Sequence, residues 1–154
     1  MLRYNDVRVT FQEIPNEVSL TFSITGCPYR CEGCHSPELR ESFGECLTGE
    51  KMVDYINKNP FITCVTFLGG DNDFHWFTYL ASIIRKNNKK VALYTGSDEI
   101  DVDFYNVVDY LKIGHYDKDK GPLNSKTTNQ MLINTKTGED ITYLFWKEQT
   151  YDTK

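Results

Sequence analysis

The sequence lacks any long hydrophobic run. No stretch of the 154 residues approaches the roughly 18 consecutive apolar side chains that a membrane-spanning helix needs. The N-terminal segment MLRYNDVRVTFQEIPNE is too polar to contain the apolar part of a secretory signal. We therefore expect a cytoplasmic protein with no membrane partner.

Positive charge is also in short supply. The chain has 17 Lys and Arg against 22 Asp and Glu, a net charge of −5, and no basic run with interleaved aromatic residues that could follow a phosphate backbone. We expect no direct nucleic-acid partner. Internal repeats and low-complexity tracts are absent as well. The length suits one globular domain over residues 1–154, with residues 147–154 as a loose tail.

Cysteine, by contrast, is concentrated in one short stretch. Three of the five cysteines, Cys27, Cys31 and Cys34, fall in TGCPYRCEGCHSP with the spacing C-x3-C-x2-C. Disulfides seldom persist in a reducing cytosol, and an odd number of cysteines clustered in one loop makes a poor framework of bridges. The stretch therefore predicts a metal site.

The residue types alone leave three kinds of metal site open. A structural zinc ion needs four ligands, so His35, Cys46 or Cys64 would have to complete the set. A ferredoxin-like electron carrier needs a fourth thiolate, for which Cys46 is the candidate. A [4Fe–4S] cluster held by three thiolates would instead keep one iron open, and an open iron can bind a substrate.

Strand-like and helix-like segments alternate along most of the chain. Apolar, β-branched runs predict strands, and apolar residues at helical spacing predict helices. This alternation favours βαβ units, with a parallel sheet and helices outside it. The predicted strands are 17–25, 61–71, 89–97 and 110–114, the predicted helices are 48–59, 74–88 and 101–110, and a polar loop then leads to two strands around a Thr-Gly turn.

In parallel α/β sheets the ligand site lies at the carboxyl ends of the strands. The cysteine loop, Gly69-Gly70-Asp71, Thr95-Gly96 and Gly114 all come at such ends, which predicts one common rim. The chain is too short for a complete eight-unit barrel of about 250 residues. The fold class that we predict is therefore α/β, as an incomplete, open parallel β/α barrel.

The cysteine motif and the segment LGGD together resemble the radical SAM superfamily. In that superfamily C-x3-C-x2-C follows the first strand, as CPYRCEGC does here, and a glycine-glycine-acid motif ends the next strand. The resemblance implies a [4Fe–4S] cluster bound by Cys27, Cys31 and Cys34, whose open iron takes the amino and carboxyl groups of S-adenosylmethionine. The contacts with S-adenosylmethionine that it implies are Gly33, Cys34, His35, Gly69, Gly70, Asp71 and Thr95.

A narrower resemblance covers residues 15–135. TGCPYRCEGCHSP, FLGGD, LYTGS, LKIGHY and TTNQMLI follow one another much as in the activating proteins of anaerobic ribonucleoside-triphosphate reductases. It implies an oxidoreductase that works without oxygen and takes a hydrogen from a glycine of the reductase large subunit, supplied with electrons by a donor such as flavodoxin or ferredoxin. Activation of another glycyl-radical enzyme, or a small-molecule radical reaction, stays open.

Three positions depart from the pattern of those proteins. Asn72 stands where Pro usually follows Gly-Gly-Asp, and His35 stands where Tyr often follows the third cysteine. Gly33 replaces the aromatic residue that many radical SAM enzymes place just before the third cysteine. Because Gly33 cannot stack on adenine, we expect His35 to supply the flat face that the resemblance implies.

Overall fold

The computed structural model describes residues 1–26 and 41–146, which form a mixed α/β fold around one sheet. None of the helices in these two ranges is long and apolar enough to cross a membrane. In chain order the elements are β1 Arg3–Thr10, β2 Ser19–Ile24, β3 Glu45–Cys46, α1 Gly49–Lys58, β4 Cys64–Leu68, α2 Phe74–Lys86, β5 Lys90–Tyr94, α3 Val102–Tyr105, β6 Tyr110–Ile113, β7 Met131–Asn134, β8 Glu139–Asp140 and a 3₁₀ helix Thr142–Phe145.

The described part of the sheet has eight strands in the order β3-β1-β2-β4-β5-β6-β7-β8. The four central strands, β2, β4, β5 and β6, run parallel, as the βαβ pattern predicts. The outer strands pair antiparallel on both sides. The α/β class is therefore confirmed, whereas this open, mixed sheet fits an all-parallel barrel poorly.

Connection length explains part of the mixed topology. Residues 11–18 join β1 to β2. That is too short for a parallel crossover, which needs about a dozen residues or more, so the two strands pair antiparallel. The polar segment 114–130 between β6 and β7 contains no helix to carry the chain back across the sheet, and those strands pair antiparallel too.

The main core lies between one face of the sheet and the helices α1 and α2. The predicted stripe of α2 is confirmed, since its buried residues are Phe77, Leu80, Ala81 and Ile84. Phe77 packs on Phe67 of β4 with ring centroids 4.9 Å apart. The opposite sheet face, here called the helix-free face, carries no packed α-helix in the described ranges. It combines hydroxyl side chains near β1 and β2 with a second, smaller apolar cluster around Leu132 and Ile141. Helix α1 begins at the predicted N-cap, because the Thr48 hydroxyl accepts a hydrogen bond from the Lys51 N–H at 3.1 Å.

Four elements differ from the sequence prediction, among them β3, which was not predicted, and the 3₁₀ helix, which lies in a segment predicted as a strand. Strand β1 was not predicted, because its alternating charged and apolar side chains have few of the uninterrupted apolar residues of the central strands. Helix α3 was predicted over 101–110 but spans only Val102–Tyr105. By Asp109 the chain is already pairing with β5, since the Asp109 N–H donates to the Val91 carbonyl at 2.8 Å. The predicted tail, 147–154, lies outside the described residues.

A buried carboxylate ties the amino ends of the central strands together. The Glu17 side chain accepts hydrogen bonds from Thr63 at 2.6 Å, Lys90 at 2.7 Å and Tyr110 at 2.5 Å. Burial by itself would raise the pKa of Glu17, but these three hydrogen bonds favour the carboxylate and lower the pKa below its usual value. The Glu17 cluster therefore stabilises the edge of the sheet opposite the predicted rim.

Replacing Glu17 with Gln should lower the free energy of unfolding by about 2 kcal/mol at neutral pH, because the three donors lose their charged acceptor. Since the pKa of the folded carboxyl is lowered, its contribution is complete above the unfolded pKa of about 4.3 and is lost as the pH falls through the folded value. Urea denaturation at pH 7 and pH 3 measures this. Glu139→Gln, at an exposed carboxylate of β8, is the control, and an equal loss in Glu17→Gln at both pH values would contradict the prediction.

Candidate functional site

The predicted site residues fall into two groups. Cys27, Cys31, Gly33, Cys34 and His35 lie outside the described residues. The structure describes the residues on either side of this cysteine segment and the loops that follow β4, β5 and β6. The carboxyl ends of those strands do meet at one rim, as the sequence predicts.

The two ends of the cysteine segment are held against each other. The Gly26 N–H donates to the Glu41 carbonyl at 2.9 Å. One residue before Gly26, the Thr25 hydroxyl donates to the Phe43 carbonyl at 2.7 Å and accepts from the Phe43 N–H at 3.2 Å. The residues that flank the cysteine segment therefore lie side by side next to the end of β2.

Gly69 and Gly70 form a turn directly after β4, next to the end of β2. Gly69 has φ +89° and Gly70 has φ +114°, a region that disfavours any residue with a side chain. This turn places Asp71 at the rim. The next residue, Asn72, donates from its side-chain amide to the Gly26 carbonyl at 3.4 Å. Asn72 therefore links the LGGD segment to Gly26, the residue just before the cysteine segment.

Asp71 and Thr95, predicted from separate motifs, are hydrogen-bonded to each other. The Thr95 hydroxyl donates to Asp71 Oδ2 at 2.6 Å and accepts from the Ser97 N–H at 3.1 Å. Both side chains line a cavity of about 150 Å³. Ligand pockets for drug-sized molecules measure about 300–1,000 Å³, so this cavity suits one small polar group. Its other lining residues are Leu93, Ser97, Glu99, Asp101, Phe104 and Leu111.

Sequence reasoning missed the lysine beneath this pair. Lys112 is 7% exposed, and its ammonium donates to the carbonyls of Thr95 at 3.2 Å and Gly114 at 2.9 Å. The ammonium also lies over the Tyr94 ring, 5.7 Å from its centroid. The only signal in the sequence is a lysine inside the otherwise apolar strand YLKI.

Gly114, the predicted glycine after β6, is held in place by contacts with the segment TTNQ. Gly114 has φ +99°, and a Cβ there would lie 3.0 Å from the Gln130 Cα. The Gln130 side chain donates to the Gly114 carbonyl at 3.3 Å, and the Asn129 side chain donates to the His115 carbonyl at 3.1 Å. Among the described residues, the side-chain oxygen of Asn129 is buried without a hydrogen-bond partner.

His115 has a partner that the sequence did not reveal. Its Nδ1 lies 2.7 Å from Asp98 Oδ1, and its backbone N–H donates to the same oxygen at 3.0 Å. These hydrogen bonds lower the pKa of the Asp98 carboxyl. The pair is exposed at the outer side of the rim and fixes the loop after β5 to the loop after β6.

A larger groove lies on the helix-free face of the sheet. Its volume is about 480 Å³, within the usual range for ligand pockets. Ser23 and Leu68 place one part of it beside the strand ends that lead into the two motifs. Hydroxyl groups line its floor, where Thr10 and Thr21 are hydrogen-bonded at 2.7 Å. The remaining lining residues are Arg8, Val9, Phe11, Gln12 and Glu13.

The two cysteines outside the motif occupy different positions. Cys64 is fully buried at the start of β4, and burial raises the pKa of its thiol to about 12. At about 3.3 Å per residue, it lies roughly 13 Å from the end of that strand, too far to bind a group at the rim. Cys46 is partly exposed in β3. Within the two described ranges, no three His, Cys, Asp or Glu side chains are grouped closely enough to hold a metal ion.

The chain matches the model of a known protein family. The family model described as "4Fe-4S single cluster domain" matches residues 17–133. This range runs from the start of β2 into β7 and includes the cysteine segment and every rim loop. No curated protein and no solved structure matches the chain.

The different burial of Cys46 and Cys64 predicts different reactivity. Burial raises the pKa of the Cys64 thiol well above 8, so at pH 8 the thiol stays protonated, and reagents cannot reach it. Iodoacetamide should therefore modify Cys46 in the native protein and leave Cys64 intact. Peptide mass mapping measures this, with a sample labelled in denaturant as the control. Labelling of native Cys64 at the rate of Cys46 would refute the expectation.

Proposed function

The chain belongs to the 4Fe-4S single cluster domain family, and on that premise we propose that it is a radical SAM activase of anaerobic ribonucleoside-triphosphate reductase. In this proposal it uses a [4Fe–4S] cluster and S-adenosylmethionine to form a glycyl radical on the reductase large subunit. The partner is that subunit, and a reducing protein such as flavodoxin or ferredoxin supplies the electron. The reaction takes place in the cytoplasm without oxygen.

The observation that carries the proposal is the hydrogen bond between Asp71 and Thr95. These residues come from two motifs that resemble radical SAM motifs, and they meet beside the base of the cysteine segment. An electron carrier that binds only a cluster needs no carboxylate and hydroxyl facing a small cavity at this point. An enzyme that binds the amino acid part of a cofactor beside its cluster needs such groups to hold it.

The donor set fits the cluster. Cys27, Cys31 and Cys34 would supply thiolates, the ligands that iron–sulfur clusters take, and three of them leave one iron without a protein ligand. The hydrogen bonds at Gly26 and Thr25 fix both ends of the segment that contains them. When bound, the cluster would supply the single electron for reductive cleavage of the C5′–S bond of S-adenosylmethionine, the chemistry that would allow a hydrogen to be taken from a glycine of the partner.

The rim residues bind and orient the sulfonium cofactor in this proposal. Asp71 accepts a hydrogen bond from the methionyl ammonium, and a contact between two opposite charges is stronger than a neutral one. Thr95 holds the carboxylate of Asp71 in place for that contact. Gly69 and Gly70 let bare backbone approach the cofactor. Gly33, Cys34 and His35 contribute the remaining contacts, with His35 offering its ring to adenine.

The groove on the helix-free face is the proposed entrance for the glycine. It reaches the ends of β2 and β4 and is open at the surface, so a segment of a large protein can lie in it. The docked segment would exclude water from the radical, which protects the reactive species from side reactions. The parallel strands β2, β4, β5 and β6 would then be the partial barrel around the site, and the outer strands are additions to it.

Electron paramagnetic resonance tests the proposal. Anaerobically reconstituted and reduced protein should give a [4Fe–4S]⁺ signal that changes shape when S-adenosylmethionine is added. Cys31→Ser should lose the cluster, whereas Cys46→Ser should keep it. A signal indifferent to S-adenosylmethionine, with a cluster that needs Cys46, would identify a ferredoxin-like carrier. Stoichiometric zinc without sulfide would identify a structural zinc module. Assay of the activated partner then distinguishes the reductase from other glycyl-radical enzymes.

Removal of the Thr95 hydroxyl should weaken cofactor binding without affecting the cluster. Thr95→Val leaves the Asp71 carboxylate without its 2.6 Å donor, and we expect about tenfold weaker binding of S-adenosylmethionine in a titration of the resonance signal. Thr95→Ser, which keeps the hydroxyl, should bind like the wild type. The matched control is Thr66→Val, which removes a buried hydroxyl that donates to Ser19 elsewhere on the sheet. Equal affinity in Thr95→Val and wild type would exclude this role.

A further inference from the structure

Two lysines on the helix-free face of the sheet, at opposite strand ends, each lie over a tyrosine ring, although Lys90 is half-exposed and Lys112 is buried. Lys90 lies over the Tyr110 ring at 5.9 Å, and Lys112 lies over the Tyr94 ring at 5.7 Å. At the amino edge, Lys90 forms an ion pair with Glu17 at 2.7 Å. At the carboxyl edge, the Lys112 ammonium binds backbone carbonyls of two separate strand ends. This difference between the two edges points to a role for Lys112 in joining the loops after β5 and β6.

The Lys112 side chain connects the chain segments that leave the carboxyl ends of β5 and β6. The register of β5 with β6 ends at the pair Tyr94 and Lys112. Beyond it, the Lys112 ammonium donates to the carbonyls of Thr95 and Gly114, at 3.2 and 2.9 Å. The Gly114 N–H in turn donates to the Ser97 carbonyl at 2.6 Å. The Thr95 N–H also donates to the Lys112 carbonyl at 2.9 Å, so the ammonium adds to backbone hydrogen bonds between the two segments. Burying a lysine is costly unless its own hydrogen bonds are made, as they are here.

A second side chain supports the same carbonyl. Gln130 donates to the Gly114 carbonyl at 3.3 Å, so that oxygen accepts from both Lys112 and Gln130. Gly114 can present its carbonyl in this way because its φ of +99° is open to glycine. The chain of contacts therefore runs from Gln130 through Gly114 and Lys112 to the backbone of Thr95.

We propose that Lys112 and Gln130 are positioning residues that hold Thr95 where its hydroxyl meets Asp71. This inference rests on the proposed function, since it is the S-adenosylmethionine contact of Asp71 that the two residues would set. The 2.6 Å hydrogen bond between Thr95 and Asp71 tolerates little displacement. A shift of about 1 Å at such a contact can cost two orders of magnitude in rate.

The first test measures the rim without any cofactor. In Lys112→Met, the amide hydrogens of Ser97 and Gly114 should exchange at least about tenfold faster than in the wild type, relative to the amides of β4. Lys90→Met removes the matched lysine at the other edge and should leave these two amides protected. Lys112→Arg, which keeps the charge and the donors, should restore protection. Unchanged exchange in Lys112→Met would overturn the proposal.

Gln130→Leu gives a second variant in case Lys112→Met does not fold. It removes one donor to the Gly114 carbonyl and leaves the buried charge in place. We expect faster exchange of the Gly114 amide in this variant, to a smaller extent than in Lys112→Met. If the folded variant protects Gly114 as well as the wild type does, the second support has no positioning role.

The second test measures cofactor binding by reconstituted protein. Lys112→Met should retain iron and sulfide at wild-type content and bind S-adenosylmethionine about tenfold more weakly. Because Lys112 acts through Asp71, the double variant Lys112→Met/Asp71→Asn should bind no more weakly than Asp71→Asn alone. Additive losses, or wild-type binding by Lys112→Met, would overturn the inference and leave the proposed function standing. A wild-type protein that ignores S-adenosylmethionine would refute the proposed function, and the exchange test would still decide whether Lys112 positions Thr95.

Discussion

Parallel pairing of β2, β4, β5 and β6 is the constraint on which the rest of the structure depends. In a parallel ladder the carboxyl ends of all strands lie at the same edge of the sheet. The loops that follow these strands therefore lie close together, although they are far apart in the sequence. The register places Leu68 beside Tyr94, and Tyr94 beside Lys112. The residues that follow these three then form the rim, where Asp71 meets Thr95.

The two faces of the sheet have different roles, one in stability and the other in binding. One face is covered by α1 and α2 and buries aromatic rings, so it fixes the strands. The other face carries the hydroxyl groups of the groove and two lysines, the half-exposed Lys90 and the buried Lys112, so it offers polar groups to a ligand. The two edges also differ: the Glu17 carboxylate closes the amino edge with hydrogen bonds, and the carboxyl edge presents loops whose backbone turns at glycines.

The sequence predicts the local elements and the rim because both depend on patterns that extend over a few residues. Apolar periodicity located α2 and its four buried residues, and glycines at strand ends located Asp71 and Thr95. The antiparallel strand β1 and the short α3 depend on distant pairing, which periodicity does not encode. Lys112 was missed for the same reason, because its partners are backbone carbonyls placed by the fold. The cysteine ligands remain a prediction.

The Glu17 cluster also affects the order in which the chain can fold. Its three donors lie 46, 73 and 93 positions further along the sequence. The last of them, Tyr110, joins only when β6 docks, so a nascent chain that ends before that strand holds an incompletely bonded carboxylate in its forming core. Contacts across such long separations form slowly, because the entropy of closing the loops is lost first. Completion of this cluster would therefore mark a late event in folding, and during synthesis it must wait until about two thirds of the chain has emerged.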